Sequence, residues 1–142
     1  MNLFLAEDDI DDSFLFQEAL KELNDNVRLH VAVNGEDLLL QLDEKKQAAD
    51  LIFLDLNMPV KNGFECLAEL RNDERFKHVP VVVLSTTAHK ESVQQAYHTG
   101  ANLYVKKPST FGDLKQIIKS CTERPWKFIP QPPPFEDFLY GS

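Results

Sequence analysis

Short apolar runs alternate along the chain with amphipathic stretches, the pattern of βαβ units around a parallel sheet, and five such pairs can be counted. The first run, Leu3 to Ala6, leads through acidic residues into a helix-like stretch ending at Leu23, with Phe14, Leu20 and Leu23 placed to share an inner stripe. Val27 to Val33 alternates with period two, as a half-exposed edge strand does, and Asn34-Gly35 turns it into a Leu-rich helix around Leu38 to Leu42. Leu51 to Leu54 and Val81 to Leu84 are uninterrupted apolar runs, so both are expected as central strands buried on two faces. Between them, Pro59 and Asn62-Gly63 break the chain before a helix from Phe64 to Arg71. The fourth helix, Lys90 to His98, is expected to close on Gly100 with a positive φ. The fifth unit pairs a strand at Leu103-Tyr104-Val105 with a helix from Thr110 to Cys121, whose Leu114, Ile117 and Ile118 share a side.

The pattern then changes in kind. Residues 123–142 hold five of the eight prolines and five of the fourteen aromatics, which marks a tail following a domain over residues 1–122 and not a sixth unit. A solvated linker carries few aromatics, so Trp126, Phe128, Phe135, Phe138 and Tyr140 are expected to dock on this domain or on a partner. The triple proline at Pro132 to Pro134 reads as a stiff spacer. No output domain for DNA binding or catalysis is expected after Cys121.

Composition narrows the class. With 15 Lys+Arg against 23 Asp+Glu the formal net charge is −8, which argues against nucleic-acid binding, since no basic stripe, Lys106-Lys107 included, is longer than two residues. Cys66 and Cys121 form no CxxC or Cys/His cluster, so neither a disulfide framework nor a zinc site is suggested. The start of the chain turns acidic at Glu7, and no apolar run approaches the roughly 18 residues a membrane span needs. A cytoplasmic protein without membrane contact is the expectation.

Chemistry collects at the carboxyl ends of the expected strands, where open α/β sheets bind ligands. Glu7 and Asp8 end the first strand, Asp55 the third and Ser85 the fourth, and Lys107 follows the fifth. Two carboxylates about 4 Å apart repel by about 4 kcal/mol at an effective dielectric of 20, so a crevice holding Glu7, Asp8 and Asp55 favours a hard cation, with magnesium the natural candidate. Flanked by that metal and the Lys107 ammonium, Asp55 is equipped to attack phosphorus, with Ser85 donating a hydrogen bond to the product.

These residues resemble the receiver domains of two-component response regulators over roughly Asn2 to Cys121. Glu7-Asp8 is similar to the family's acidic pair, Asp55 in Leu54-Asp55-Leu56-Asn57-Met58-Pro59 to the phosphoacceptor, and Lys107 in Lys107-Pro108 to its lysine. The intervals agree, with thirty residues from Asp55 to Ser85 and fifty-two from Asp55 to Lys107. The resemblance implies a flavodoxin-like (βα)5 fold, a doubly wound five-stranded parallel sheet with strand order 2-1-3-4-5. It implies magnesium held directly by Asp8 and Asp55, a third ligand in the Asn57 backbone carbonyl, and Glu7 acting through water. It also implies a switch made of Ser85 and Tyr104, and a sensor histidine kinase or phosphotransfer protein as the phosphoryl donor. The acidic entry Glu7 to Asp12 and the extended C-terminus look most like stand-alone bacterial regulators paired with phytochrome-class histidine kinases. Such a regulator signals through protein contacts, a homodimer through the fourth and fifth units or the tail among them, and catalyses only its own phosphorylation and dephosphorylation. Thr86 departs from the family's small residue after the hydroxyl, and a β-branched side chain there narrows access to the phosphoryl group.

Taken singly, these features have plainer readings. Acids before a helix commonly serve its dipole, and the run lacks the mid-loop Gly and closing Glu of a calcium loop. His30, His78, His89 and His98 pair with no nucleophile and are expected to be solvated. A haloacid-dehalogenase-type phosphohydrolase would need a second acid where Asn57 stands. A flavodoxin-like nucleotide binder would need a phosphate cradle where Glu7-Asp8 stands. A receiver-like module that no longer phosphorylates finds its only hint in Thr86.

Overall fold

The computed structural model describes residues 1–23, 26–44 and 48–141; Ser142, the last residue of the expected tail, lies outside the described residues. Five strands and five helices alternate: β1 (Asn2–Ala6), α1 (Ile10–Leu23), β2 (Arg28–Ala32), α2 (Gly35–Glu44), β3 (Leu51–Asp55), α3 (Gly63–Asn72), β4 (Val81–Ser85), α4 (Lys90–Thr99), β5 (Leu103–Lys106) and α5 (Phe111–Glu123). All strand pairs are parallel and the order is β2-β1-β3-β4-β5. This is the expected flavodoxin-like arrangement, and the strand order reverses between β1 and β3.

Period-two alternation splits the core into two layers. Phe4, Ile52, Leu54, Val81 and Val83 face the helices α2, α3 and α4, where Leu38, Leu67, Leu70 and Val93 meet them. Leu3, Leu5, Phe53, Val82 and Val105 face α1 and α5, against Phe16, Leu20, Ile117 and Ile118. Each such side chain contributes about 1.5–3 kcal/mol on burial, and continuous apolar strands are what a sheet covered on both faces requires.

Local chemistry sets the helix ends. Asn34 Oδ1 accepts from Asp37 N at 2.8 Å, so Asn34-Gly35 opens α2. Asn62 and Glu65 form a reciprocal capping box at the start of α3. Gly100 ends α4 at φ 109°, as expected.

Two expectations need correction. Phe14 is 58% exposed, and the buried stripe of α1 is Ser13, Phe16, Ala19 and Leu20, with Leu23 only partly covered. His30 is not a solvated histidine, because its ring stacks on Phe4 at 4.5 Å between centroids.

The tail docks on its own domain. Trp126 Nε1 donates to Cys121 O at 2.9 Å, and Leu139 forms a parallel bridge with Tyr104 on the outer edge of β5. Phe138 is fully buried, whereas Phe128 remains 86% exposed.

Candidate functional site

The register of the sheet brings the candidate residues together. Ala6 lies opposite Leu54 and Ser85 opposite Lys106, so Glu7 stands beside Asp55, and Lys107 beside the end of β4. Glu7 N donates to Ala32 O at 2.9 Å and Lys107 N to Ser85 O at 2.7 Å, which fixes both residues just beyond their strands. The loop after Asp55 is pinned by Gly63 N donating to Leu56 O at 3.0 Å. Gly63 is required there, because a Cβ would sit 2.5 Å from Asp55 O and 2.7 Å from Leu56 Cα.

Glu7 and Asp55 are each only 4% exposed, while Asp8 faces solvent. Carboxylate oxygens of Glu7, Asp8 and Asp55 all lie within 4.8 Å of one another. Opposite them, Lys107 Nζ reaches Glu7 Oε1 at 2.8 Å, Asp12 Oδ2 at 3.1 Å and Asp55 Oδ2 at 3.5 Å. Lys106 is exposed, so the geometry selects Lys107 from the pair. Asp55 Oδ1 also accepts from Asn57 N at 3.3 Å, leaving the Asn57 side chain in solvent.

This crowding shows in the titration of the groups. Burial, reinforced by the neighbouring Asp55 carboxyl and opposed by Lys107, pushes Glu7 up to about 7. Burial alone would lower the Lys107 ammonium, but its hydrogen bond to Glu7 and the charges of Asp55 and Glu7 outweigh that and hold it raised. One ammonium facing a cluster of acids leaves negative charge in excess. An all-oxygen set of this kind suits a hard divalent cation.

A second chain of contacts leaves the site through β4. Ser85 is fully buried, and its Oγ accepts from Thr87 N at 3.3 Å. Tyr104 is also buried, and its hydroxyl donates to Thr87 O at 2.7 Å. Burial raises the Tyr104 phenol, with the Ser85 hydroxyl acting in the opposite sense. Thr86, between these contacts, is exposed.

Three participants went unread at the level of sequence. Asp12, in the sequence only the end of an acidic entry, is a Lys107 partner; its place in the first turn of α1, five residues after Glu7, is the available signal. Val60 holds a left-handed φ of 66° in the loop after Asp55, which no β-branched residue advertises. Arg71 donates to Gly100 O, Phe76 O, Lys77 O and Asn102 Oδ1, tying α3 to the turns preceding β4 and β5.

An acid cluster and a lysine thus meet at the carboxyl edge of a 2-1-3-4-5 parallel sheet, where such sheets bind ligands. The chain belongs to the response regulator receiver domain family, which matches residues 3–119, and so to the signalling proteins of two-component systems. It is similar to the response regulator Rcp1 of Synechocystis sp., with 34% identity over 122 residues that cover 82% of this chain and 83% of Rcp1. Among solved structures it is similar to the phosphorylated cyanobacterial phytochrome response regulator RcpA, with 33% identity, a TM-score of 0.81, and coverage of 92% of this chain and 97% of that one. The Mn(2+)-bound form of Rcp1 matches with 30% identity and a TM-score of 0.77, over 92% of this chain and 98% of that one. With the family shown, the phosphohydrolase and nucleotide-binder readings fall away.

Proposed function

We propose that this chain is a response regulator that takes a phosphoryl group from a phosphohistidine of a sensor kinase or phosphotransfer protein onto Asp55. The observation that carries this reading is the convergence of Glu7, Asp8, Asp55 and Lys107 at one end of the sheet. An Asp55 oxygen attacks phosphorus, the phosphorus–nitrogen bond breaks, and the imidazole leaves with a proton from solvent, giving an acyl phosphate. Lys107, already 3.5 Å from Asp55 Oδ2, offsets the charge on the phosphoryl oxygens, and Ser85 turns its hydroxyl toward them. Asp8, Asp55 and the Asn57 carbonyl would hold magnesium, with Glu7 acting through water; bound magnesium supplies further charge neutralisation. The donor set and the Mn(2+)-bound relative support that ion class. Hydrolysis of the acyl phosphate by water is the chain's own reset reaction.

The signal leaves by altered protein contacts. A turn of Ser85 toward the phosphoryl group takes the acceptor from Thr87 N and shifts the loop that holds Tyr104, so the surface of the fourth and fifth units and the tail changes its affinity for itself or a partner. We divide the chain into a receiver over residues 1–122 and a tail over 123–142, which the end of α5 at Glu123 supports. Buried free thiols at Cys66 and Cys121 fit a reducing, cytoplasmic setting. Among the described residues, no helix is long and apolar enough to cross a membrane.

Beryllium fluoride with magnesium mimics a carboxylate-bound phosphoryl group and tests the reading. Bound fluorine resonances are expected by NMR with the wild type and not with Asp55→Asn. Bound resonances of equal intensity in both would overturn the assignment.

A further inference from the structure

The stretch from Arg124 to Gln131 passes along the amino-terminal edge of the sheet, the edge opposite Asp55, and faces the turn between α3 and β4 across a cleft of about 740 Å³. Asp50, Pro80 and Asn102, which precede β3, β4 and β5, line it from the sheet. Five cationic side chains line it as well, Arg71, Arg75 and Lys77 on the α3 side and Arg124 and Lys127 on the tail side, against the two acids Asp50 and Glu74. In a chain of formal net charge −8, this cleft reverses the sign.

Its own acids do not neutralise it. Glu74 pairs with Lys77 at 2.8 Å, Asp50 Oδ2 accepts from Asn2 N at 2.7 Å, and Arg75 is held by Asp43 at 2.7 Å and Asp73 at 2.8 Å. Among the described residues Arg71, Arg124 and Lys127 have no carboxylate partner. The Arg71 hydrogen bonds all end on uncharged oxygens, of Gly100, Phe76, Lys77 and Asn102, and burial without a counter-charge pushes its guanidinium down to about 10. Arg124 lies over the Trp126 ring, 5.4 Å from its centroid, and donates to Ser120 Oγ at 3.4 Å. Lys127 is exposed, and the neighbouring Phe128 ring, also on the cleft, is 86% exposed.

We propose that this cleft is a binding site for a nucleoside polyphosphate, its phosphates held by Arg71, Arg124 and Lys127 and its base stacked on Phe128. Guanidinium groups meet phosphate oxygens with paired N–H donors, and cations without carboxylate partners bind an anion with no ion pair to break first. Charge alone suits any small polyanion; the exposed Phe128 ring selects one that carries a flat base, because such a ring is a stacking platform. The volume falls within the roughly 300–1,000 Å³ of small-molecule sites. None of these residues takes part in the phosphoacceptor reading, and the cleft lies at the far end of the strands from the carboxyl-edge crevice where a flavodoxin-like binder holds its nucleotide.

Trp126 is the one tryptophan of the chain and lines the cleft, so its fluorescence reports on the site. The full-length protein, in a chelator that keeps metal-bound nucleotide from the acid cluster, is titrated with ATP, with tripolyphosphate, which lacks the base, and with adenosine, which lacks the phosphates. Saturable quenching by ATP is expected, about tenfold tighter than by tripolyphosphate, with no response to adenosine. Lys127→Glu and Phe128→Ala, both at exposed positions and checked for fold by circular dichroism, are each expected to weaken ATP about tenfold, while Asp55→Asn leaves its affinity unchanged. No saturable response to ATP, equal affinity in wild type and both cleft variants, or loss of binding in Asp55→Asn would overturn the proposal. Tripolyphosphate binding as tightly as ATP would overturn the nucleotide assignment, and so would tighter binding of a short oligothymidylate, which would give the cleft to single-stranded nucleic acid.

Discussion

Asp55→Asn is the perturbation whose sign separates a charge-strained site from a balanced one. At pH 8 in a chelator, the pH lies above the value of about 7 to which burial and Asp55 push Glu7, so Glu7 is mostly ionised alongside its neighbours. Oxygens of Glu7, Asp8 and Asp55 lie within 4.8 Å of each other, and Lys107 Nζ is 3.5 Å from Asp55 Oδ2. At an effective dielectric of about 20, each like-charge pair at that spacing costs about 3.5 kcal/mol and the lysine pair contributes about 5 kcal/mol of attraction. Two repulsions therefore exceed one attraction on Asp55 by about 2 kcal/mol. Screening reduces the share of exposed Asp8, but desolvation of a carboxylate only 4% exposed acts in the opposite sense. The amide keeps an acceptor for Asn57 N and removes the charge. Asp55→Asn should thus stabilise the metal-free fold by about 2 kcal/mol, read as a higher urea midpoint at unchanged slope. Magnesium should raise the wild-type midpoint more than that of the variant. A midpoint equal to or below that of wild type in the chelator would refute the charge-strain reasoning.

Three other substitutions probe the frame around the site. Val60→Gly relieves a left-handed β-branched residue that is 75% exposed and should stabilise by about 1 kcal/mol, checked by thermal melting. Arg71→Met removes a guanidinium shared by four acceptors, of which Phe76 O, Gly100 O and Asn102 Oδ1 keep the donors Val79 N, Gln131 Nε2 and Val81 N, and should cost about 1–3 kcal/mol in urea, with faster amide exchange at Asn102 and Gly100. Gly63→Ala drives a methyl against the Asp55 carbonyl and should cost about 1–3 kcal/mol while weakening divalent-ion affinity by calorimetry.

Much of this architecture was legible because parallel strands covered on both faces must be written as apolar runs. Leu51 to Leu54 and Val81 to Leu84 read that way, and the residues that follow such runs fall at one edge of the sheet. Lys107 was named over Lys106 from its place after the fifth strand and from the resemblance, although one residue of register decides which ammonium meets the acids; the geometry makes the same choice. Helix α1 misled because Ile10 and Phe14 form a second apolar row at i, i+4 spacing, indistinguishable by period from the row that contains Phe16 and Leu20. That the tail docks was expected from its aromatics, but the place where it docks was not legible. Its contacts join Phe138 and Tyr140 to Tyr104 across more than thirty residues, and no local period encodes a partner that distant. Arg71 likewise satisfies carbonyls from separate turns, a role that depends wholly on packing.

The central claim, that Asp55 is the acceptor in a magnesium-assisted phosphoryl transfer, is tested most directly by intact-mass analysis. The protein is incubated with magnesium and a small acyl-phosphate donor, with wild type and Asp55→Asn in parallel and a control receiver present. A single phosphoryl adduct that requires magnesium, is released by alkali and is absent from the variant is the predicted result. No adduct on wild type while the control receiver reacts, or an adduct of equal yield on both forms, would contradict the account.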